Sequence, residues 1–506
     1  MPLSTTQINT VRDNVIASFW QPNPPAPGNN LPRILATEGG PTSQFGFPAP
    51  SQFPGTYWQM TQMLRFMVSW YQEFPSDSLM LTRIQQQAAF IADTQYGFNR
   101  PNGAGGFYLD DNGLNDSTIN VSDDAAWKLL SFCDLHKVTG DPAWLQRAQL
   151  VLPKILSVYR DPNGSPTDVG NGVIFSAYGI LYGIQYVNAR GETVYQATYD
   201  TPQSSLYESG IALAALYIYE QTGIQGFREY AVKITDRFIA EATLPDRTSS
   251  TASYGLRDRI DNPGAYFQGL HLVGPQINGD QTPLHMPRDL SVAPTINGVR
   301  RIARNGGNPY FFQGTIAVGL LCARLYRLTG NTGYLNRIRE IVGALSSSSS
   351  FLVASDNTLL SNRDPYTAGF FVCEFVREVL YGLRSNNIGD VDTLLGIFAS
   401  TGLSIATNGI RSSTYYSADW GSPSYPQNGG SSATDTGSST SWDKNYAAHP
   451  GSSTTPADQA SALQIMTTAN SASMALAGYM AGLRGTTLVD GSQTLSETNG
   501  STLVEG

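Results

Sequence analysis

Three stretches of this chain repeat one local pattern. Leu135-His136-Lys137-Val138-Thr139-Gly140-Asp141-Pro142-Ala143-Trp144-Leu145 is followed by Tyr219-Glu220-Gln221-Thr222-Gly223-Ile224-Gln225-Gly226-Phe227, and then by Tyr326-Arg327-Leu328-Thr329-Gly330-Asn331-Thr332-Gly333-Tyr334-Leu335. Each puts Thr-Gly at the end of one helical pattern and an aromatic residue four positions after the Gly, early in the next. Glycine ends a helix well because it enters the left-handed region without a Cβ clash. The aromatic residue then pins the second helix against the first. The repeating unit is a helical hairpin. Such units are too long for the common solenoid repeats and are joined by uneven loops, which predicts a closed ring rather than an open stack.

Apolar periodicity extends the pattern along the chain. It predicts helices near 4–20, 56–74, 77–94, 122–140, 141–161, 204–223, 224–244, 310–330, 331–350, 368–383, 389–408 and 456–483. About a dozen helices make six hairpins, so the expected fold is all-α, an (α/α)6 toroid. Segments 95–121, 162–203, 245–309 and 409–455 read as irregular, and strand signals are few. The stretches Ile211–Tyr219 and Thr315–Tyr326 are nearly free of charge and suit an inner ring. Phe227–Ile239 and Tyr334–Ile341 carry Arg, Lys, Asp and Glu and suit an outer one. The N-terminal ends of the inner helices then share one face with the long loops before them, where a groove is expected. The expected organisation is 1–55 as an N-terminal extension with the first helix, and 56–408 as the toroid. Residues 409–483 then form a Ser/Thr/Gly-rich loop and a final helix completing the ring, with 484–506 a flexible tail.

Composition narrows the partners. A net charge of −9 with 31 Lys+Arg argues against nucleic acid or an anionic membrane. The 26 Tyr, 21 Phe and 7 Trp suit a neutral ligand read by aromatic faces and hydrogen bonds, such as a sugar. Cys133, Cys322 and Cys373 all lie in apolar helical patterns, so buried free thiols are expected rather than a disulfide framework. The four histidines, His136, His271, His285 and His449, are scattered. No metal site and no cofactor are expected. No apolar run is long enough for a membrane span. The start, Met1-Pro2-Leu3-Ser4-Thr5-Thr6-Gln7, lacks the features of a secretory signal. The expectation is a protein that stays inside or travels on an extracellular particle, and the sequence does not decide between them. It leaves the oligomeric state open as well.

Within this frame one helix start carries unusual chemistry, Asn120-Val121-Ser122-Asp123-Asp124-Ala125-Ala126-Trp127. Ser122 is a good N-cap, and two aspartates in the first turn complement the helix dipole. Trp127, Leu130 and Cys133 then predict an amphipathic, buried helix. Capping alone accounts for such a pair. The second acidic cluster, Asp110-Asp111-Asn112-Gly113, reads foremost as a turn. Phe107 and Tyr108 beside it form either a sugar platform or loop packing.

The central motif, Asp123-Asp124-Ala125-Ala126-Trp127 followed by Thr139-Gly140-Asp141-Pro142, resembles the glycoside hydrolases of family 76, the endo-α-1,6-mannanases of bacteria and fungi. Weaker matches are Gly170-Asn171-Gly172-Val173-Ile174-Phe175, Gln313-Gly314 and Gly369-Phe370-Phe371 with Phe375 and Arg377. The chain departs from the family's pattern at Val121-Ser122, Phe311-Phe312, Phe175 and Ala368. The resemblance implies retaining hydrolysis of an α-linked, mannan-like polysaccharide without a cofactor. It implies Asp123 as nucleophile and Asp124 as acid/base, with Phe107, Tyr108, Trp127, Phe175, Phe312 and Gln313 on the substrate. Retention needs two carboxyl groups about 5–5.5 Å apart, and neighbours in a first helical turn diverge by about 100°, which is compatible. The rival reading is a non-catalytic glycan-binding or structural protein on a hydrolase-like fold, part of an extracellular or phage particle.

Overall fold

The computed structural model describes residues 2–23, 31–34, 57–92, 120–159, 166–168, 174–176, 183–187, 193–197, 205–242, 295–296, 299–300, 312–346, 357–359, 369–408, 410–412, 415–416 and 457–486. Among them are twelve helices: α1 (Thr5–Phe19), α2 (Tyr57–Glu73), α3 (Ser78–Ala92), α4 (Ser122–Thr139), α5 (Pro142–Tyr159), α6 (Ser205–Thr222), α7 (Gln225–Ala242), α8 (Phe312–Thr329), α9 (Thr332–Ser346), α10, α11 (Val391–Asn408) and α12 (Ala457–Thr486). Helix α10 opens as Val372–Glu374 and continues with π-helical winding over Phe375–Tyr381. Every expected helix is present, with ends shifted by a few residues.

Helices α2, α4, α6, α8, α10 and α12 each pack on the next, and α12 returns to α2, so the inner ring is closed. Helices α3, α5, α7 and α9 each pack outside their predecessor, and α11 lies against both α10 and α12. The remaining outer place, beside α12, is filled by α1. The first helix of the chain and the last are thus partners, tied by a Thr5–Tyr479 hydroxyl contact of 3.1 Å. Ser4 caps α1 through a reciprocal box with Gln7. The fold is an (α/α)6 toroid.

The Thr-Gly turns show why the hairpins repeat. Gly140, Gly223 and Gly330 have φ of 68°, 72° and 67°. In each turn the Thr hydroxyl donates to the carbonyl four residues back at 2.7 Å. The same oxygen accepts the amide two residues on at 3.2 Å. The helix end and the start of its partner therefore share one hydroxyl. Trp144, Phe227 and Tyr334 are buried where the second helix folds back.

Inner helices are enclosed on all sides. Residues 126–135 of α4 are all buried, as are 209–218 of α6 and 468–482 of α12. The helix expected after Asp123-Asp124 is buried as anticipated, but on every side over 126–135 rather than along one amphipathic face. Layers on both sides of α4 bury Ser131 and Asp134 along with the apolar residues, so no solvent face exists there. Small residues let α11 and α12 approach closely. A Cβ added at Gly478 would lie 2.5 Å from the Phe398 carbonyl oxygen and 2.7 Å from Gly402 Cα. The three cysteines are free and buried.

Strands β1 (Trp20–Gln21) and β2 (Arg33–Ile34) pair antiparallel after α1, and the segment 162–203, read as irregular, contains strands as well. β6 (Gly183–Val187) pairs antiparallel with β7 (Thr193–Ala197) and with β3 (Asn120–Val121). β4 (Pro166–Asp168) pairs with β5 (Ile174–Ser176). These ladders are too short for period-two alternation to show in the sequence. Among the described residues no helix is long and apolar enough to cross a membrane.

Candidate active site

The inner helices run parallel. Trp127 and Gly210 meet early in α4 and α6, and His136 and Tyr217 meet late in them, Nδ1 to hydroxyl at 2.6 Å. All N-terminal ends therefore open on one face of the ring. Strand β3 leads directly into α4, and its ladder with β6 (Asn120 opposite Gln185, Val121 opposite Ile184) fixes where that helix begins. Ser122, Asp123 and Asp124 form its first turn, where backbone N–H groups have no intrahelical partner and favour negative charge.

One turn deeper Trp127 is 1% exposed. Its ring lies 4.9 Å from that of Phe370. Gly210 leaves room for it, since a Cβ there would approach Leu130 Cδ1 to 3.0 Å and Trp127 Cζ3 to 3.8 Å. The indole N–H of Trp127 has no acceptor among the described residues. Both amide atoms of buried Gln62 on α2 and the hydroxyl of buried Ser209 on α6 are also without a partner there. The Thr61–Ser131 contact, 3.1 Å, fixes α2 against α4 and sets Gln62 about 7 Å deeper than Trp127, at 1.5 Å of rise per residue. Buried polar atoms left unmatched cost about 1–3 kcal/mol each. These unmatched atoms lie on three neighbouring inner helices below the start of α4.

Deeper still, the axis is closed by Arg65. Its Nη1 donates to Asp134 Oδ2 at 2.7 Å, its Nη2 to Glu374 Oε1 at 2.5 Å, and its Nε to the Phe370 carbonyl at 2.8 Å. The guanidinium sits 4.6 Å from the ring centroids of both Phe370 and Phe371. Burial alone would raise the Asp134 carboxyl, but the charges of Arg65 and Lys137 outweigh it and hold it below its ordinary value. The mouth thus has a rigid floor.

Of the residues singled out from sequence, Trp127 lies below the mouth. Asp123 and Asp124 are placed by their backbone at its rim, and their side chains lie outside the described residues. Phe312 and Gln313 open α8, and Phe175 stands opposite Thr167 in the β4–β5 ladder, again with side chains outside the description. Phe107 and Tyr108 lie outside it altogether, as do Asp110, Asp111, His271 and His285. Gln62 and Ser209 were not anticipated. The available signal is a polar residue inside an otherwise apolar inner helix. No group of three His, Cys, Asp or Glu among the described residues could hold a metal ion.

No protein-family model matches the chain, and no curated protein matches it significantly. Solved structures do. The α-1,6-mannanase of Salegentibacter sp. HEL1_6 matches at 14% identity over 93% of this chain and 99% of that one, with a TM-score of 0.48. An inactive variant of the same enzyme, with alanine in place of two consecutive aspartates and α-1,6-mannotetraose bound, matches at 13% identity over 93% and 98%, also at 0.48. The family 76 glycoside hydrolase (mannosidase) Bt3792 of Bacteroides thetaiotaomicron matches at 11% identity over 95% of this chain and 98% of that one, with a TM-score of 0.51. Over nearly its whole length, then, the chain has the six-hairpin toroid fold of a family 76 glycoside hydrolase.

Proposed function

We propose that this protein is a glycoside hydrolase that cleaves an α-linked, mannan-like polysaccharide with retention. The observation that carries the reading is the position of Asp123 and Asp124. They open an inner helix of a family-76-like toroid, above the buried, unmatched polar atoms of Gln62, Trp127 and Ser209.

The chemistry follows from two carboxyl groups with different protonation. Asp124, protonated, gives its proton to the leaving glycosidic oxygen while the Asp123 carboxylate attacks the anomeric carbon. The C–O bond to the leaving sugar breaks and a glycosyl ester forms. Asp124, now ionised, takes a proton from water, which displaces Asp123 and restores the starting configuration. The order of the two roles rests on the family resemblance. The first-turn N–H groups of α4 favour an ionised carboxylate, which supports a nucleophile at this helix start.

A screen of α- and β-mannans, glucans and capsular polysaccharides with product analysis tests the reading. Oligosaccharides released from an α-mannan are expected, without effect of chelators. Binding without any product release across the panel would instead establish a glycan-binding protein.

A further inference from the structure

Trp127 is the first large side chain of α4, following Ser122, Asp123, Asp124, Ala125 and Ala126. It stands four residues after Asp123 and three after Asp124, so the three positions share one face of the helix. A long helical side chain leans back towards the N-terminus and covers the turn before its own Cα. The Trp127 ring therefore supports the turn that carries the aspartate pair.

That ring is held by neighbouring inner helices. It packs against Phe370, just ahead of α10, with ring centroids 4.9 Å apart. Phe370 is itself anchored. Its ring carries the Arg65 guanidinium at 4.6 Å, and its carbonyl accepts Arg65 Nε at 2.8 Å. The amide of Gly369 before it donates to Asn470 Oδ1 on α12 at 3.1 Å. A Cβ at Gly369 would collide with the Asn470 carbonyl, so this approach is as close as two backbones allow. Against α6 the indole fits beside Gly210, where a Cβ would crowd Leu130 Cδ1 at 3.0 Å and touch Trp127 Cζ3 at 3.8 Å. At 1% exposure the indole offers no face to a sugar.

The family resemblance puts Trp127 on the substrate, but its burial and its anchoring point elsewhere. We propose that Trp127 is a positioning residue: braced on Phe370, it holds the first turn of α4, and with it Asp123 and Asp124, in place for the reaction without touching the sugar. The inference rests on the retaining hydrolysis proposed above. A reacting group misplaced by about 1 Å loses on the order of 10²-fold in rate. A loosened turn is therefore read in kcat, whereas a lost sugar platform is read in KM and in binding.

The test compares the full chain with Trp127→Leu, Phe370→Leu and the conservative Trp127→Phe, each first checked for a cooperative thermal transition. If Trp127→Leu does not fold, Phe370→Leu takes its place. On an α-1,6-mannan, kcat should fall at least tenfold in both leucine variants with KM within twofold of wild type. Trp127→Phe, which keeps a ring on Phe370, should recover most of that loss. Calorimetry of α-1,6-mannotetraose with Asp123→Asn/Asp124→Asn should give the same Kd, within twofold, whether or not Trp127→Leu is added. Amide hydrogen exchange needs no substrate. The amides of Ala126, Trp127 and Lys128 bond to the carbonyls of residues 122, 123 and 124 in a regular helix. They should exchange at least tenfold faster in the leucine variants, while the amides of residues 136–139 keep their rates, as local opening requires. A tenfold rise in KM or Kd, kcat within twofold of wild type in both leucine variants, or unchanged exchange at the first turn would each overturn the proposal. A wild type that cleaves no glycan would instead refute the hydrolase reading, and the exchange rates would still decide whether Trp127 holds the turn.

Discussion

At the scale of single residues, the hairpins depend on a glycine that no other side chain replaces without strain. A Cβ added at Gly223 meets nothing within 4 Å, so space is not the issue. Its φ of 72° is, and a left-handed L-residue costs roughly 1–2 kcal/mol. Gly223→Ala should lower the unfolding free energy by about that amount in urea titrations, with no change of fold by circular dichroism. Glu378 makes a second prediction. Burial alone would raise its pKa, but the charge and hydrogen bonds of Arg324, with Lys137 and Arg327, bring it down to about 2 from 4.5. A folded pKa below the unfolded one means that this carboxylate stabilises the fold fully above pH 4.5. That stabilisation is lost as pH falls from 4.5 towards 2. Replacing it by glutamine should flatten the decline of the thermal midpoint across this acid window.

Elements are positioned by what fills the space between them. The Arg65 cluster joins α2, α4 and α10 through one guanidinium, with Arg65 4% exposed. Truncation would leave Glu374 buried without its cation and Asp134 with Lys137 alone, Nζ to Oδ1 at 3.1 Å. Breaking such a pair costs about 3–5 kcal/mol, so Arg65→Ala should be among the most destabilising single changes, measured by chemical denaturation. Arg65→Met should recover little, since buried Glu374 would still lack its cation. The outer helices were legible in the sequence because they carry a 3.6-residue pattern, the inner ones as long runs nearly free of charge, and the Thr-Gly turns punctuate them. The burial of α4 on all sides was not legible. Apolar spacing at Trp127, Leu130 and Cys133 looks the same whether the remaining faces meet solvent or other helices. Buried Asp134 reads as a surface residue until Arg65, distant in sequence, is brought beside it.

For the whole molecule, closure is the decisive property. The ring is completed by pairing the first helix with the last, α1 with α12, a contact that no local pattern announces. Ile8, Val11, Val15, Ile16 and Phe19 of α1 are all buried. Burying each is worth on the order of 1.5–3 kcal/mol, together comparable to the roughly 5–15 kcal/mol net stability of a folded domain. A chain lacking residues 1–19 should therefore show no cooperative thermal transition. The mouth was legible in part. The Asp123-Asp124 pair and Trp127 stand out because their spacing matches a helix start and a family motif. Gln62 and Ser209 do not, because each is an ordinary polar residue until neighbouring helices bury it. We propose retaining hydrolysis by the pair at the start of α4. Proton NMR of fresh product released from an α-mannan, for wild type, Asp123→Asn and Asp124→Asn, tests it most directly. α-Anomeric product should appear first with wild type, and each substitution should cut the rate by at least about 10²–10⁴-fold, the scale of a lost acid/base group. Initial β-anomeric product, or turnover unchanged in both variants, would contradict it.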